Sequence, residues 1–503
     1  MALGRAYSVA ISGLRGHIVE IEADVASGLP GVHIVGLPDA AVQESRDRVR
    51  AAITNSERDW PMKRLTWSLS PATLRKVGSA YDLALAASTL AATRKRPWTR
   101  LQDTVLLGEL ALDGRVRGVR GVLPAVLAAA REGRHTAVVA ADNLAEASLV
   151  DGIEVLGVHT LCQLIDWLNG KAVLEERRER ATGTAEPIPD LADVIGQTQA
   201  RYALELAAAG AHHLLFTGPP GVGKTMLAQR LPGLLPVLSD TEALEVTAIH
   251  SVAGMLAEDT PLITTPPFVA PHHTASVAAL VGGGAGLARP GAVSRAHRGV
   301  LFLDEYAEIA PAVMEALRTP LEEGEVRLAR VDGVARYPAR FQLILAANPC
   351  PCAPPDPQKC ICKAVDKRRY LARLSGPLID RVDLRVQLNA VRAGTIADTS
   401  GEPTAAVRDR VCRARAAAAE RWAAIGVRTN AEVPGPVLRR AYRLDRAAMR
   451  PLHRAMDAGL LSVRGVDRTL RVAWSVADLA GRDRPGIEEV GVALSFRQSG
   501  ELR

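Results

Sequence analysis

The sequence predicts a chain in three parts: an α/β core, a helical C-terminal lid behind it, and a separate α+β domain in front. Three observations carry this. The apolar run ending at Thr217 breaks into the turn Gly218-Pro219-Pro220-Gly221-Val222-Gly223-Lys224-Thr225 and reopens as a helical stretch, Met226 to Leu235. Eighty residues beyond Lys224, the apolar run Val300 to Leu303 ends in Asp304-Glu305. From Pro403 onward, helical patterning is unbroken by strand signals, with helices expected at Pro403 to Ile425, Pro434 to Ala458, Asp467 to Ala480 and Gly486 to Phe496.

A chain of 503 residues exceeds what one hydrophobic core supports and suits about three domains of ~100–200 residues. Aromatics are only 4% of it, so the cores must be packed from Ala, Leu and Val. Lys and Arg exceed Asp and Glu by 62 to 55, which permits a polyanionic partner without demanding one. The first residues show no apolar leader, and no uninterrupted apolar run reaches the ~18 residues of a membrane span. The expectation is a cytoplasmic protein without a membrane partner. Six cysteines in so long a chain make no disulfide framework.

Residues 1–170 alternate short strands (Ala6 to Ile11, His17 to Val25, Gly31 to Ile34, Leu65 to Leu69, Val105 to Leu110) with helices (Ala40 to Asn55, Asp82 to Ala92, Val122 to Glu132). Residues 171–190 turn charged and then proline-rich, with nothing to bury, and read as a linker. Residues 191–392 form the α/β core and 393–503 the lid.

The turn from Gly218 to Thr225 is a phosphate cradle: glycines let backbone N–H groups crowd around phosphate oxygens, Lys224 reaches the outer phosphates, and the Thr225 hydroxyl can ligate Mg²⁺. An ordinary glycine loop would not need Lys and Thr at those places. Asp304 and Glu305 leave their strand at the end where ligands bind in a parallel sheet. Asp304 would hold Mg²⁺ through water, and Glu305 would orient and deprotonate the attacking water. ATP and Mg²⁺ are the cofactors this implies.

Cys350-Pro-Cys352 and Cys360-Ile-Cys362 flank seven residues rich in proline, which lets the chain fold back and bring four thiols together. Tetrahedral thiolate coordination of a structural Zn²⁺ is one reading, and reduced, unligated cysteines are the other. A run of alternating residues around Asp332-Gly333, from Glu325 to Arg340, predicts a hairpin carrying Arg327, Arg330 and Arg336. It suits either a grip on phosphates or a solvated hairpin packed on a neighbour. No stacking aromatics interleave with these arginines, so base readout is not expected.

Within residues 1–170, Gly108-Glu-Leu-Ala-Leu-Asp-Gly-Arg-Val-Arg with the helix and strand after it resembles the protease domain of Lon, in its S5-like fold. The matching serine, Ser79, stands one position early, and no lysine occurs between Lys95 and Lys171. A serine without a general base is a poor nucleophile, so this domain is read as non-proteolytic scaffolding. The whole order of motifs, with Ala-Pro-His272-His273-Thr-Ala-Ser, Ser375-Gly-Pro-Leu-Ile-Asp380-Arg381-Val-Asp383 and the Cys-x-Cys pairs, resembles the YifB/ComM family of magnesium-chelatase-like AAA+ ATPases.

That resemblance implies a P-loop AAA+ core with a helical lid behind a Lon-like domain. It implies an ATP-driven hexamer acting on branched or single-stranded DNA as a branch-migration helicase. Val194-Ile195-Gly196-Gln197 would cover the base, Asn348 would act as sensor 1, Arg381 as an arginine finger in a neighbouring subunit, and Arg464 as sensor 2, with Arg468 and Arg471 as rivals. The alternative for Arg381 is a salt bridge with Asp380 or Asp383. His272 and His273 would face a pore with the arginine hairpin. The competing function is a protein-complex remodeller of the magnesium chelatase type.

Overall fold

A computed structural model describes residues 3–176, 187–256, 262–284, 288–330, 333–354, 359–374, 378–390 and 401–498. Residues 177–186 of the expected linker and the expected boundary at 392/393 fall outside these residues; of the rest, Leu174 is buried in the first core and Glu175–Glu176 is a strand of the first sheet, so the expectation of nothing to bury fails there.

The first part is built on an eight-stranded sheet. Leu3–Ser12 and Arg15–Ala26 form a long antiparallel hairpin, Ala6 opposite Ile21. Arg64–Ser70 joins it antiparallel and Gly31–Val35 closes that edge in parallel. On the other side Thr104–Leu107, Thr136–Ala140 and Glu154–Val158 continue in parallel, and Glu175–Glu176 ends the sheet antiparallel to the last of them. Alternate residues feed two cores: Leu106 and Val138 pack with Trp67 and Leu85 on one face, Val105 and Val139 with Leu123 and Val126 on the other. Helix Ala40–Asn55 starts where Asp39 accepts from the Val42 N–H. The run expected as one strand to Leu110 instead breaks at Gly108 and resumes as Glu109–Leu110, which pairs with Val116–Arg117. A Cβ at Gly108 would lie 2.6 Å from Val116, so the tight return needs glycine.

The second sheet has five strands, all parallel, in the order Phe268–Val269, Val300–Leu303, Gln342–Ala347, Leu214–Thr217, Leu384–Gln387. The three inner strands are buried throughout, as parallel strands covered on both faces must be. Phe216, Phe302 and Ile344 share one core with helix Thr198–Gly210 and with Trp422 and Trp474 of the C-terminal helices. Leu215, Leu301 and Leu343 pack on the opposite face with Leu317 and Tyr370. The C-terminal helices thus share a core with the sheet.

Three helices differ from expectation. The stretch after Lys224 is two short helices, Lys224–Ala228 and Leu231–Leu234, because Pro232 fits only a first turn, where its missing N–H costs nothing. Pro434 to Ala458 is likewise divided into Gly435–Arg439 and Arg446–Asp457, the second capped by Asp445, whose carboxylate accepts from the Ala448 N–H at 2.7 Å. Val463–Leu479 begins four residues before the expected Asp467, at a cap made by Ser462, which puts Arg464 in the first turn.

The two sheets are joined by packing of helix Val122–Arg131 on helix Asp240–Ala253, with Ala248 in the shared core. The tip of the first hairpin also touches the arginine hairpin: a Cβ at Gly13 would meet the Arg336 carbonyl at 2.5 Å. Among the described residues no helix is long and apolar enough to cross a membrane.

Candidate nucleotide site

The C-terminal edge of the parallel sheet brings together the residues that could handle a nucleotide. Leu214–Thr217 runs straight into the glycine turn, where Gly221 and Gly223 take φ values of 76° and 95°, a region that residues with a Cβ adopt with strain. Lys224 folds its ammonium back over the loop, donating to the carbonyls of Gly218 (2.7 Å) and Pro219 (2.9 Å) and to Oδ1 of Asn348 (3.0 Å). Burial lowers its pKa, opposed by the charges of Asp304 and Glu305. Among the described residues the lysine is held by loop carbonyls and an amide oxygen rather than by a carboxylate, which leaves its donors free to turn to an anion.

Thr225 donates to Asp304 at 2.9 Å, so the hydroxyl and carboxylate expected to hold Mg²⁺ already stand side by side. Asp304 in turn accepts from the Glu305 N–H, also at 2.9 Å. Glu305 itself has φ +47°, which turns its side chain off the line of the strand. Asn348 arrives because Gln342–Ala347 lies directly beside the loop strand, Ala347 opposite Thr217.

Val194 is fully buried, Ile195 is exposed, and Gln197 straps the loop by donating to the carbonyls of Val222 (3.3 Å) and Asn389 (2.7 Å). The segment therefore does stand against the phosphate loop. Sequence reasoning missed the latch behind it: Asp190 accepts from the N–H groups of Ala192 (2.8 Å) and Thr404 (2.9 Å), while Leu191 donates to the Thr404 hydroxyl (2.7 Å). An aspartate at the end of a charged linker carries no signal that a threonine over two hundred residues later will meet it.

Arg381 and Arg464 lie at the other edge of the sheet. Leu384 pairs with Leu214 and Gln387 with Thr217, so Arg381 precedes the strand while the glycine turn follows it. The four paired residues alone span about 13 Å. Arg381, Arg464, Arg468 and Arg471 line a cleft of about 220 Å³ with His213, Glu322, Asp380 and Asp383. Arg381 pairs with Glu322, Arg464 and Arg497 stand 3.9 and 3.4 Å from Asp380, and Arg468 pairs with Asp383 at 2.8 Å. Burial would raise the Asp383 carboxyl, but the His212 ring 3.6 Å away and the charge of Arg468 hold it well below the usual range. Ser375, Gly376 and Pro377 lie outside the described residues.

The expected hairpin is present as Glu325–Arg330 paired with Gly333–Pro338; Asp332 lies outside the described residues, as does the side chain of Arg330. Arg327 and Arg336 are cross-strand neighbours, and both are about half exposed. Each has acidic company, Arg327 with Glu323 (2.9 Å) and Glu325, Arg336 with Glu325 at 4.0 Å, so the positive charge is partly offset. His272 is exposed and hydrogen-bonded to the Thr274 hydroxyl at 2.8 Å. His273 instead turns toward the nucleotide site, its Nδ1 3.4 Å from Oε2 of Glu305.

The four cysteines meet. Cys350, Cys352 and Cys360 have sulfurs 3.5–3.7 Å apart, and all four ligand atoms including that of Cys362 lie within 4.8 Å of one another. A tetrahedron with metal–sulfur bonds of about 2.3 Å has edges of about 3.8 Å, so the thiols fit zinc. Burial pushes the Cys350 thiol up to about 12, while hydrogen bonding with Cys362 brings Cys352 down to about 7. In the first part of the chain, Ser79 donates to the Glu109 carboxylate, and the nearby buried Lys76 donates to the Pro71 carbonyl.

Three family models match in succession: "Subunit ChlI of Mg-chelatase" over residues 21–143, "Magnesium chelatase, subunit ChlI" over 190–396, and "Magnesium chelatase, subunit ChlI C-terminal" over 401–497. The fold and the site thus define a magnesium-chelatase-like AAA+ ATPase, for which ATP and Mg²⁺ are the cofactors. The chain is 40% identical to competence protein ComM of Haemophilus influenzae over 506 residues, covering 99% of this chain and 98% of ComM. It is 40% identical to the uncharacterized protein YifB of Escherichia coli, covering 99% and 97% of the two chains. An uncharacterized protein of Mycobacterium tuberculosis, Rv2897c, is 71% identical over the full length of both. The chain belongs to the YifB/ComM family of magnesium-chelatase-like ATPases.

Proposed function

We propose that the protein is a ring-forming motor, a hexamer in its active state, that spends ATP to move DNA through a central pore and acts at branched or single-stranded DNA as a branch-migration helicase. The observation that carries the ring is the separation of Lys224 from Arg381 at opposite ends of two adjacent parallel strands. An arginine that neutralises charge on the transferring phosphoryl group must reach it, and Arg381 can do so only at the phosphate loop of another copy. Arg464, exposed beside it in the same cleft, would enter the neighbour's site with it.

In that composite site Lys224 binds the outer phosphates, Thr225 and Asp304 hold Mg²⁺, and Asn348 orients the terminal phosphate. Bound Mg²⁺ would neutralise charge on the phosphate oxygens. Glu305 orients and deprotonates water, and the Val194 to Gln197 segment covers the base. The Cys350, Cys352, Cys360 and Cys362 cluster would hold a structural Zn²⁺ directly after Asn348. The first domain (1–170) would act as a non-proteolytic scaffold, and the helices of 393–503 as the lid.

Support for DNA comes from the kinship with a competence protein and from the half-exposed Arg327 and Arg336, neighbours across the hairpin. The pairing of Arg327 with Glu323 and Glu325, and the approach of Arg336 to Glu325, favour a second reading, a remodeller of a protein complex of the magnesium chelatase type. ATP turnover measured with single-stranded, duplex and four-way-junction DNA separates the two. Stimulation at low salt that fades as salt rises supports the helicase. No stimulation by any of the three at low salt eliminates it.

A further inference from the structure

The loop that carries Arg381 is fastened from behind by the chain's own C-terminal helices. Ile379–Arg381 is a single turn of 3-10 helix that gives way to extended backbone at Val382, so the Arg381 carbonyl has no donor within the turn. Two arginines from the last two helices supply donors here. Nη1 of Arg468, on helix Val463–Leu479, donates to the Arg381 carbonyl and to Oδ1 of Asp383, both at 2.8 Å. Nη1 of Arg497, on helix Ile487–Gln498, donates to the Val382 carbonyl at 2.8 Å. Asp383 is buried, and its other oxygen accepts from the His213 N–H at 3.1 Å, which ties it to the start of strand Leu214–Thr217. Arg468 therefore bridges the backbone of Arg381 and the sheet. Its side chain is 19% exposed against 80% for Arg464, one turn earlier on the same helix, so Arg468 faces its own chain while Arg464 faces outward. The Arg381 guanidinium pairs separately with Glu322, so it can change partner while its backbone stays held.

We propose that Arg468 is a positioning residue for Arg381: by holding the Arg381 carbonyl against helix Val463–Leu479 it sets where the guanidinium can reach, and it acts on a neighbouring copy's phosphates only through Arg381. The proposal rests on the reading of Arg381 as an arginine finger. It withdraws Arg468 as a rival of Arg464 for the part of sensor 2. It also ties the finger to the nucleotide site of its own chain. Helix Val463–Leu479 packs on helix Thr198–Gly210, which begins at Gln197, the residue that straps the phosphate loop. A shift of the C-terminal helices over one nucleotide would therefore move the arginine presented to the next.

The test uses the full chain and compares wild type, Arg381→Ala, Arg468→Met, Arg468→Lys and the double variant Arg381→Ala/Arg468→Met for steady-state ATP turnover. Arg468→Met should lower kcat by about 10²-fold, the scale of a ~1 Å misplacement, with KM for ATP held. A Lys ammonium can donate to both oxygens, so Arg468→Lys should retain more turnover than Arg468→Met. Because Arg468 works through Arg381, the double variant should be no slower than Arg381→Ala alone. A folded Arg468→Met that keeps wild-type turnover overturns the proposal. So does a double variant slower than Arg381→Ala by the factor that Arg468→Met costs, the result that direct contact with the phosphates or a general loss of structure would give. Removing Arg468 leaves the Asp383 charge buried without its cation. If Arg468→Met does not fold for that reason, Arg468→Met/Asp383→Asn, alone and combined with Arg381→Ala, takes its place and is read in the same way. Unchanged turnover in Arg381→Ala refutes the finger reading and the proposal with it, whereas a loss in Arg381→Ala with none in Arg468→Met refutes the proposal alone.

Discussion

The two edges of the five-stranded sheet carry opposite halves of one chemistry. At the C-terminal edge, Lys224 donates to Asn348, Thr225 to Asp304, and the Glu305 N–H to Asp304, so the five residues gather at one site. At the N-terminal edge, Arg381, Arg464 and Arg468 gather in a cleft with Glu322, Asp380 and Asp383. The first edge can bind phosphate and place water, and the cation it brings to those groups among the described residues is Lys224. The second has an excess of cations and no phosphate cradle. A parallel sheet puts every strand's C-terminus on one side, so a residue that precedes its strand cannot serve the loop that follows the adjacent one. The separation leaves the arginines to serve another copy, as the proposed ring requires.

Breaking the second edge alone should have the strongest consequence. Arg381→Ala should lower ATP turnover ~10³-fold or more while leaving binding of a fluorescent ATP analogue unchanged, since the residue acts on the transition state. Unchanged turnover would return Arg381 to a structural partner of Glu322. Breaking the first edge at its acid is next: Glu305→Gln should cost about 10²–10³ in kcat, again with binding retained, as expected for loss of a general base.

A smaller effect lies between the edges. His213 accepts from the Leu343 N–H at 3.1 Å beneath the arginine cleft, and burial lowers its pKa from 6.5 to about 4. The folded state therefore resists a proton that the unfolded chain takes up. Stability from this group is complete above about pH 6.5 and falls by about 1.4 kcal/mol per pH unit down to about pH 4. Chemical denaturation across that window should show the slope, and His213→Gln should flatten it. Last, Cys350→Ser should abolish bound zinc in metal analysis of the purified chain and leave the fold of the first sheet intact. Retention of full zinc would assign the metal elsewhere.

Whether a feature was legible in the sequence depends on how local its signal is. The glycine turn, Lys224, Thr225 and the acid pair announce themselves because phosphate chemistry requires those residue types at fixed offsets, and helix Ala40–Asn55 and strand Thr136–Ala140 arise from short-range pattern. The four cysteines could be paired by spacing alone. The broken helix at Pro232 was legible in principle, since the proline was in view and its rule is local. The contacts made at long sequence separation were not: His273 on Glu305, Asp190 on Thr404, and Arg381 on Glu322 depend on which loops the sheet order brings together. The hairpin shows the limit from the other side. Its arginines read as a basic patch in sequence, but their pairing with Glu323 and Glu325 depends on where the chain enters the turn.

If each working site is shared by two copies, two broken chains can repair each other. Lys224→Ala and Arg381→Ala chains, each inactive alone, should regain part of the ATP turnover when mixed before assembly. In the mixture some interfaces join an intact loop from one variant to an intact arginine from the other. Recovery of turnover over a range of mixing ratios, greatest near equal amounts, is the predicted result. Mixtures that assemble as wild type does yet stay as inactive as their components at every ratio would contradict it.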